Sequence, residues 1–184
     1  IPETAGLLPE NPQGQDQAPW AAYGQGSQLY SPLQLANYVA TLVSGGKHCQ
    51  AHLLKAAKTY DNSEVVATGN TEPLNTIEIS EENLNAVKLG MKGLVEGTLS
   101  PYFRNCVVSA GAKTGTSQVG ADTKNHGVFI CFAPYDDPEI AVAIAIERAD
   151  AGAALASTAV NILNAYFASP EDAFAVTGEN QLLP

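Results

Sequence analysis

The sequence predicts an α+β domain, an antiparallel sheet with packed helices. Three observations carry that prediction. Two long apolar runs, Gly127 to Ala133 and Ile140 to Ile146, flank the turn-forming stretch Pro134-Tyr135-Asp136-Asp137-Pro138 and read as an antiparallel hairpin. A third extended stretch, Val107 to Gln118, comes just before them and can pair with the hairpin. Finally, helix patterns begin after Ser31, after Ser80 and at Ala153, each with an apolar side to lay on a sheet.

The 184 residues suffice for one domain with a sizeable core, and 45% hydrophobic against 15% charged residues marks a globular chain. Nine Lys and Arg against 19 Asp and Glu give a formal charge of −10, which argues against nucleic acid or an anionic membrane surface as the main partner. One cation in a cleft can still bind a carboxylate. No apolar run reaches the ~18 residues of a membrane span, and no signal-peptide pattern opens the chain.

In order along the chain, Ile1 to Trp20 is rich in Pro and Gln and reads as a loop or extended arm. Tyr23-Gly24-Gln25-Gly26-Ser27-Gln28 is a glycine-punctuated turn. Ser31 caps a helix with Pro32 at its first position, where a missing N–H costs nothing. Leu33, Leu35, Ala36, Tyr38, Val39 and Leu42 continue it at helical spacing to Gly45-Gly46. Ala51 to Ala56 reads as a short strand and Glu64 to Thr68 as another, beyond a turn at Asp61-Asn62. Ser80 caps the next helix, with Leu84, Val87, Leu89, Met91 and Leu94 as its expected buried side and Gly97 as its end. Ala153 to Phe167 is the last helix, offering Leu155, Val160, Ile162, Leu163, Tyr166 and Phe167 to the sheet. Residues 169–184 read as a loose C-terminal tail, leaving 1–168 as the folded part.

The stretch with chemistry in it is Ala112-Lys113-Thr114-Gly115-Thr116-Ser117-Gln118. It places an ammonium, three hydroxyls and a glycine at the polar end of a strand, a surface suited to holding a carboxylate. If that strand lies at a sheet edge, its unpaired N–H and C=O groups can also take an extended peptide. By itself Lys-Thr-Gly is a common tripeptide that any exposed strand end could carry. A phosphate-binding loop is ruled out, because Ala112 stands where its second glycine is required. Of the three cysteines, Cys106 and Cys131 lie in apolar runs and read as small buried thiols. The His48-Cys49-x-x-His52 cluster lacks a fourth ligand in sequence, so neither a metal site nor a cofactor is predicted.

Three segments, in order, resemble the C-terminal half of the transpeptidase domain of high-molecular-mass, class B-like penicillin-binding proteins. They are Gly24-Gln25-Gly26-Ser27-Gln28-x-x-Ser31-Pro32-Leu33-Gln34-Leu35-Ala36-Asn37-Tyr38-x-Ala40-x-Leu42-x-x-Gly45-Gly46, then Ala112 to Gln118, then Phe129-x-x-Phe132-Ala133-Pro134 with Ile140 to Ile146. The resemblance implies a penicillin-binding/serine β-lactamase-like fold. It also implies a role in cross-linking peptidoglycan at the extracytoplasmic face of a bacterial membrane, with stem peptides as substrate and β-lactams as acylating agents.

The resemblance assigns roles along the strand. Lys113 would tune the site's electrostatics and hydrogen-bond a serine of the family's second motif. Thr114 and Thr116 hydroxyls would bind a carboxylate, and the Thr116 N–H would form half of an oxyanion hole. Gly115 would keep the strand open, and Gln118 would lie farther along the groove. The family also needs a Ser-x-x-Lys nucleophile and a Ser-x-Asn motif ahead of this strand. Ser44-Gly45-Gly46-Lys47 and Tyr60-Asp61-Asn62 imitate them, but the first closes a helix instead of opening one and the second sits in a turn. The expected partner is therefore an upstream portion of the same protein that carries the nucleophile and any membrane anchor. Two other readings compete: a non-catalytic β-lactam-sensing module on the same fold, and a structural domain in which Lys113 only ends a strand.

Overall fold

The computed structural model describes residues 5–8, 17–120, 123–149 and 151–168. Its centre is a three-stranded antiparallel sheet in the order β5 (Gly111–Ser117), β6 (His126–Ala133), β7 (Ile140–Ile146). Gly111 pairs with Phe132 and Ser117 with His126, while β7 pairs along β6 from Ala133–Ile140 to Gly127–Ile146. The predicted hairpin and its pairing with the Lys113 strand are thus both present. The middle strand, β6, is buried on both faces, which is why it reads as an unbroken apolar run.

Helices cover both faces. On one side α5 (Ala156–Phe167) packs Ala156, Ala159, Val160 and Leu163 against Ala112, Phe129 and Cys131. On the other, α2 (Pro32–Val43) brings Val39 and Leu42 to Phe132. The helix α3 (Glu81–Glu96) passes the start of β5 and serves both cores, Met91 joining the Phe132 cluster and Val95 the Phe129 cluster. Phe129 and Phe132, opposite in facing, are fully buried, and burial of that kind is worth about 1.5–3 kcal/mol per side chain.

The local signals for α2 work as read. Ser31 Oγ accepts from the Gln34 N–H at 3.2 Å, and Gln34 Oε1 accepts from the Ser31 N–H at 2.8 Å, a reciprocal capping box around Pro32. Ser80 Oγ accepts from the Asn83 N–H at 3.3 Å and starts α3 in the same way.

Several expectations fail. The arm expected over Ile1 to Trp20 contains the start of a helix, α1 (Gln17–Ala22). The tail expected at 169–184 is not among these failures, because it lies outside the described residues. The strand expected over Ala51 to Ala56 is a loop as far as Lys55. Extended structure falls on either side of it, in β1 (Lys47–Cys49) and β2 (Ala56–Lys58). Pairing decides this: β1 finds β4 (Pro73–Thr76), which has too little apolar character to be read as a strand, and Asn37 Nδ2 ties Cys49 O to α2 at 3.1 Å. The strand expected from Glu64 is β3 (Val65–Thr68), paired with β2.

The Lys113 strand starts at Gly111 rather than Val107. The Val107 N–H donates to Asn164 Oδ1 at 2.9 Å and Asn164 Nδ2 donates to Asn105 O at 3.0 Å, so α5 claims this stretch before it can enter the sheet. Val87, Leu89, Ile162 and Tyr166 are exposed, whereas Val95, which was not among the expected core positions, is buried. The short helix α4 (Ser100–Phe103) offers no full helical period to read, and the last helix opens with a 3-10 turn, Gly152–Leu155.

Asp61-Asn62 turns the chain between β2 and β3, with Asn62 at φ 59°. Asp61 Oδ1 accepts from Thr59 Oγ1 at 2.6 Å, Ser63 Oγ at 2.8 Å and the Ser63 N–H at 3.1 Å. These bonds, the Thr59 hydroxyl's first, lower the Asp61 carboxyl from an ordinary 3.8 to about 2. A carboxyl lowered on folding contributes stability above its unfolded value, and that contribution is lost as pH falls through about 2. The Ser63 amide proton resonance is expected to titrate near pH 2, not near 4, in an acid NMR titration.

Candidate active site

The strand β5 is an outer strand of its sheet, and its outer edge brings the sequence-selected residues together. Lys113 and Thr116 are exposed, Thr114 and Gly115 half-buried, and Gln118 lies exposed just past the strand end at Ser117. Lys113 Nζ donates to Thr114 O at 2.6 Å, and Gln25 Nε2 donates to Thr116 O at 2.9 Å. Both donors are side-chain groups, not backbone groups of the β5–β6 ladder. In an antiparallel pair, residues alternate between exchanging both bonds with the partner and turning both groups outward. Thr114 and Thr116 are the outward ones, so their N–H groups face the same edge as these carbonyls.

The consequence is electrostatic. The two outward carbonyls already accept bonds, while the outward N–H groups, the threonine hydroxyls and the Lys113 ammonium remain donors. Such an edge complements a carboxylate or a developing oxyanion. A Cβ on Gly115 would meet only Val128, at 3.4 Å, which is ordinary contact. Among the described residues the Gly115 side of the strand is therefore open to a small group. From the α5 side, the 3-10 turn lies directly on the strand: a Cβ on Gly152 would collide with the carbonyl oxygens of Gly115 and Val128.

Gln25 and Gly152 have no role that sequence reasoning assigns. Gln25 contacts a residue 91 positions away, which no local pattern reveals, although it stands in the turn that carries the family resemblance. Gly152 lies in an alanine-rich run with nothing to distinguish it.

Other candidates resolve into structural roles. Ser44 ends α2, its hydroxyl donating to Thr41 O at 3.2 Å and Lys47 O at 3.1 Å, as its reading as turn chemistry requires. The Asp61-Asn62 stretch is the hairpin turn described above. Burial, with Cys106 a lesser cause, pushes Cys131 up to about 12, which keeps it a protonated core thiol. Cys49 Sγ donates to Thr71 O at 3.6 Å, and no group of three His, Cys, Asp or Glu arranged to hold a metal occurs among the described residues. His48 lines an open cleft of about 530 Å³ between α2 and β4, which includes none of the β5 residues. Among the described residues no helix is long and apolar enough to cross a membrane.

Comparison with known proteins places the chain in one family. The family described as penicillin binding protein transpeptidase domain matches residues 2–167. Peptidoglycan D,D-transpeptidase MrdA of Haemophilus influenzae is 29% identical over 184 residues, a match covering 84% of this chain and 28% of that protein. The structure of penicillin-binding protein 2B of Streptococcus pneumoniae superposes with TM-score 0.75 at 23% identity, over 91% of this chain and 30% of that one, and speaks for the fold alone. A ceftriaxone acyl-enzyme complex of penicillin-binding protein A from Mycobacterium tuberculosis superposes with TM-score 0.67 at 25% identity, over 79% of this chain and 34% of that one. The chain thus spans about a third or less of each of these proteins. With a family match over nearly all of the described residues and a penicillin-binding/β-lactamase-like sheet and helix arrangement, this chain belongs to the penicillin-binding protein transpeptidase family.

Proposed function

We propose that this chain supplies the Lys-Thr-Gly strand of a peptidoglycan D,D-transpeptidase, and that the acylated serine lies on sequence preceding Ile1 in the same protein. The observation that carries this reading is the donor-rich outer edge of β5, with the carbonyls of Thr114 and Thr116 engaged and their N–H groups turned outward. In the reaction, the serine oxygen bonds to the carbonyl carbon of the penultimate D-Ala of a stem peptide. The terminal D-Ala leaves with a proton on its amine. An amine of a second stem peptide then takes the acyl group, and the serine recovers its proton.

Each residue of the strand has a part. The Thr116 N–H is one oxyanion donor, a type of contact whose loss costs on the order of 10²–10³ in rate. The hydroxyls of Thr114 and Thr116 hold the substrate or antibiotic carboxylate. Lys113 sets the local field and hydrogen-bonds the serine of the second motif. Gly115 leaves room for the ligand, and Gln118 extends the groove. β-Lactams acylate the same serine, a reading supported by the ceftriaxone acyl-enzyme of the mycobacterial relative. The complete protein works at the extracytoplasmic face of the membrane, held there by an anchor on its upstream portion.

Two further features support an upstream nucleophile. Ser44 and Asp61-Asn62 are tied into turns. Trp20, Tyr23, Leu29 and Tyr30, which flank the Gln25 turn in sequence, are exposed large apolar side chains of the kind that another part of a protein covers.

Intact mass spectrometry after incubation with a β-lactam tests the proposal, on this chain alone and mixed with the upstream portion. The expected result is a covalent adduct on the upstream portion, formed only in the mixture. An adduct on this chain would move the nucleophile here, and no adduct with both portions folded together would favour the sensing or structural readings.

A further inference from the structure

The Gly24-Gln25-Gly26 turn is built to hold one side chain in one place. Gly24 and Gly26 sit at φ 86° and 97°, the left-handed region that side-chain-bearing residues rarely enter, so the chain doubles back on both sides of Gln25. The end of α1 anchors the turn, with the Gln25 N–H donating to Trp20 O at 2.9 Å and the Gly24 N–H to Ala21 O at 3.2 Å. Gln28 Nε2 closes it by donating to Ala21 O at 3.0 Å and to Gln25 O at 3.4 Å, and the Tyr30 hydroxyl donates to Gln28 Oε1 at 3.1 Å. From this braced base the Gln25 amide reaches Thr116 O on the outer edge of β5 at 2.9 Å.

We infer that Gln25 is a positioning residue for the Thr116 peptide. This rests on the transpeptidase reading above and adds a residue to it. At Thr116 the N–H and C=O point to the same edge, so a donor fixed on the carbonyl also fixes the direction of the N–H on the neighbouring peptide. That N–H is the group expected to meet the oxyanion. A preorganised donor acts on the transition state more than on ground-state binding. With Gln25 absent, the peptide at the strand's exposed end rocks about its extended geometry and the donor loses its aim.

The test uses the complete transpeptidase and a fluorescent penicillin, resolving the pre-covalent dissociation constant from the acylation rate constant. Gln25→Ala is expected to lower the acylation rate constant by about 3- to 10-fold, the scale of one net hydrogen bond, with the dissociation constant and Tm unchanged. Gln25→Glu places an acceptor-only carboxylate against the carbonyl and is expected to acylate more slowly than Gln25→Ala at about pH 7.5. Lowering the pH to about 4.5 restores a donor as the carboxyl protonates, so the rate of Gln25→Glu relative to Gln25→Ala rises. A role in loop stability alone would not produce that relative rise.

The outcomes separate. An unlabelled wild-type protein removes the transpeptidase reading itself. A labelled wild type with Gln25→Ala at the same acylation rate overturns the positioning role while leaving that reading in place. A loss in Gln25→Ala that tracks a fall in Tm, with no relative recovery of Gln25→Glu at low pH, also overturns it.

Discussion

Replacing Lys113 by alanine is expected to remove β-lactam acylation of the complete protein, lowering the rate by at least about 10²-fold, while the protein remains folded. The side chain is exposed and its hydrogen bond goes to the carbonyl of the adjacent Thr114, so the core does not depend on it. What the substitution removes is the positive field at the donor-rich edge and the cover on the Thr114 carbonyl. Both changes make the edge less hospitable to a carboxylate and to an oxyanion. A gel-based fluorescent penicillin assay checks the rate, and thermal unfolding checks the fold. An unchanged acylation rate would favour the reading in which this lysine merely ends a strand.

Gly152→Ala should produce the second large effect, through backbone rather than charge. The added Cβ would collide with the carbonyl oxygens of Val128 and Gly115 and stand 2.9 Å from Gly115 N. These are main-chain atoms in a paired ladder and cannot swing aside. The 3-10 turn must lift away from the sheet, and overpacking of this kind costs about 1–3 kcal/mol. For a chain of this size that lowers Tm by roughly 3–10 °C. Because the obstructed atoms include those of Gly115, the displaced strand should also acylate more slowly, a loss that would not accompany an equally destabilising change in α5 remote from the strand. Thermal unfolding of Gly152→Ala beside such a control variant, with acylation rates for both, decides it.

The fold was readable in the sequence where local pattern and final pairing coincide. The β6–β7 hairpin is announced by two apolar runs around a proline-bounded turn, because both strands are largely buried. α2 is announced by Ser31 and Pro32, whose chemistry needs only its own first turn. Elements made by distant partners were not readable. β4 is a strand because β1 lies beside it, and Pro73 and Asn75 disguise it. Val107 and Val108 have strand character, yet Asn164 takes the first of them out of the sheet.

The candidate site divides in the same way. Lys113 to Gln118 announced themselves through residue type and a family pattern, since their chemistry is carried by side chains in one short run. What the sequence withheld is the support behind them. Gln25 reaches its carbonyl across 91 residues, and the importance of Gly152 lies in the hydrogen atom it bears where any other residue has a carbon.

The Asn164 clamp has a consequence for how the molecule is made. Asn164 donates to Asn105 O and accepts from the Val107 N–H, bonds that span 59 and 57 residues. A chain emerging from the ribosome releases Asn105 and Val107 well before Asn164. Throughout that interval the approach to β5 has no partner to draw it off, and its two valines are free to extend the strand backwards. Closing so long a segment is slow compared with forming a hairpin. Helix α5 therefore decides where β5 begins, and that boundary is fixed only after Asn164 has emerged.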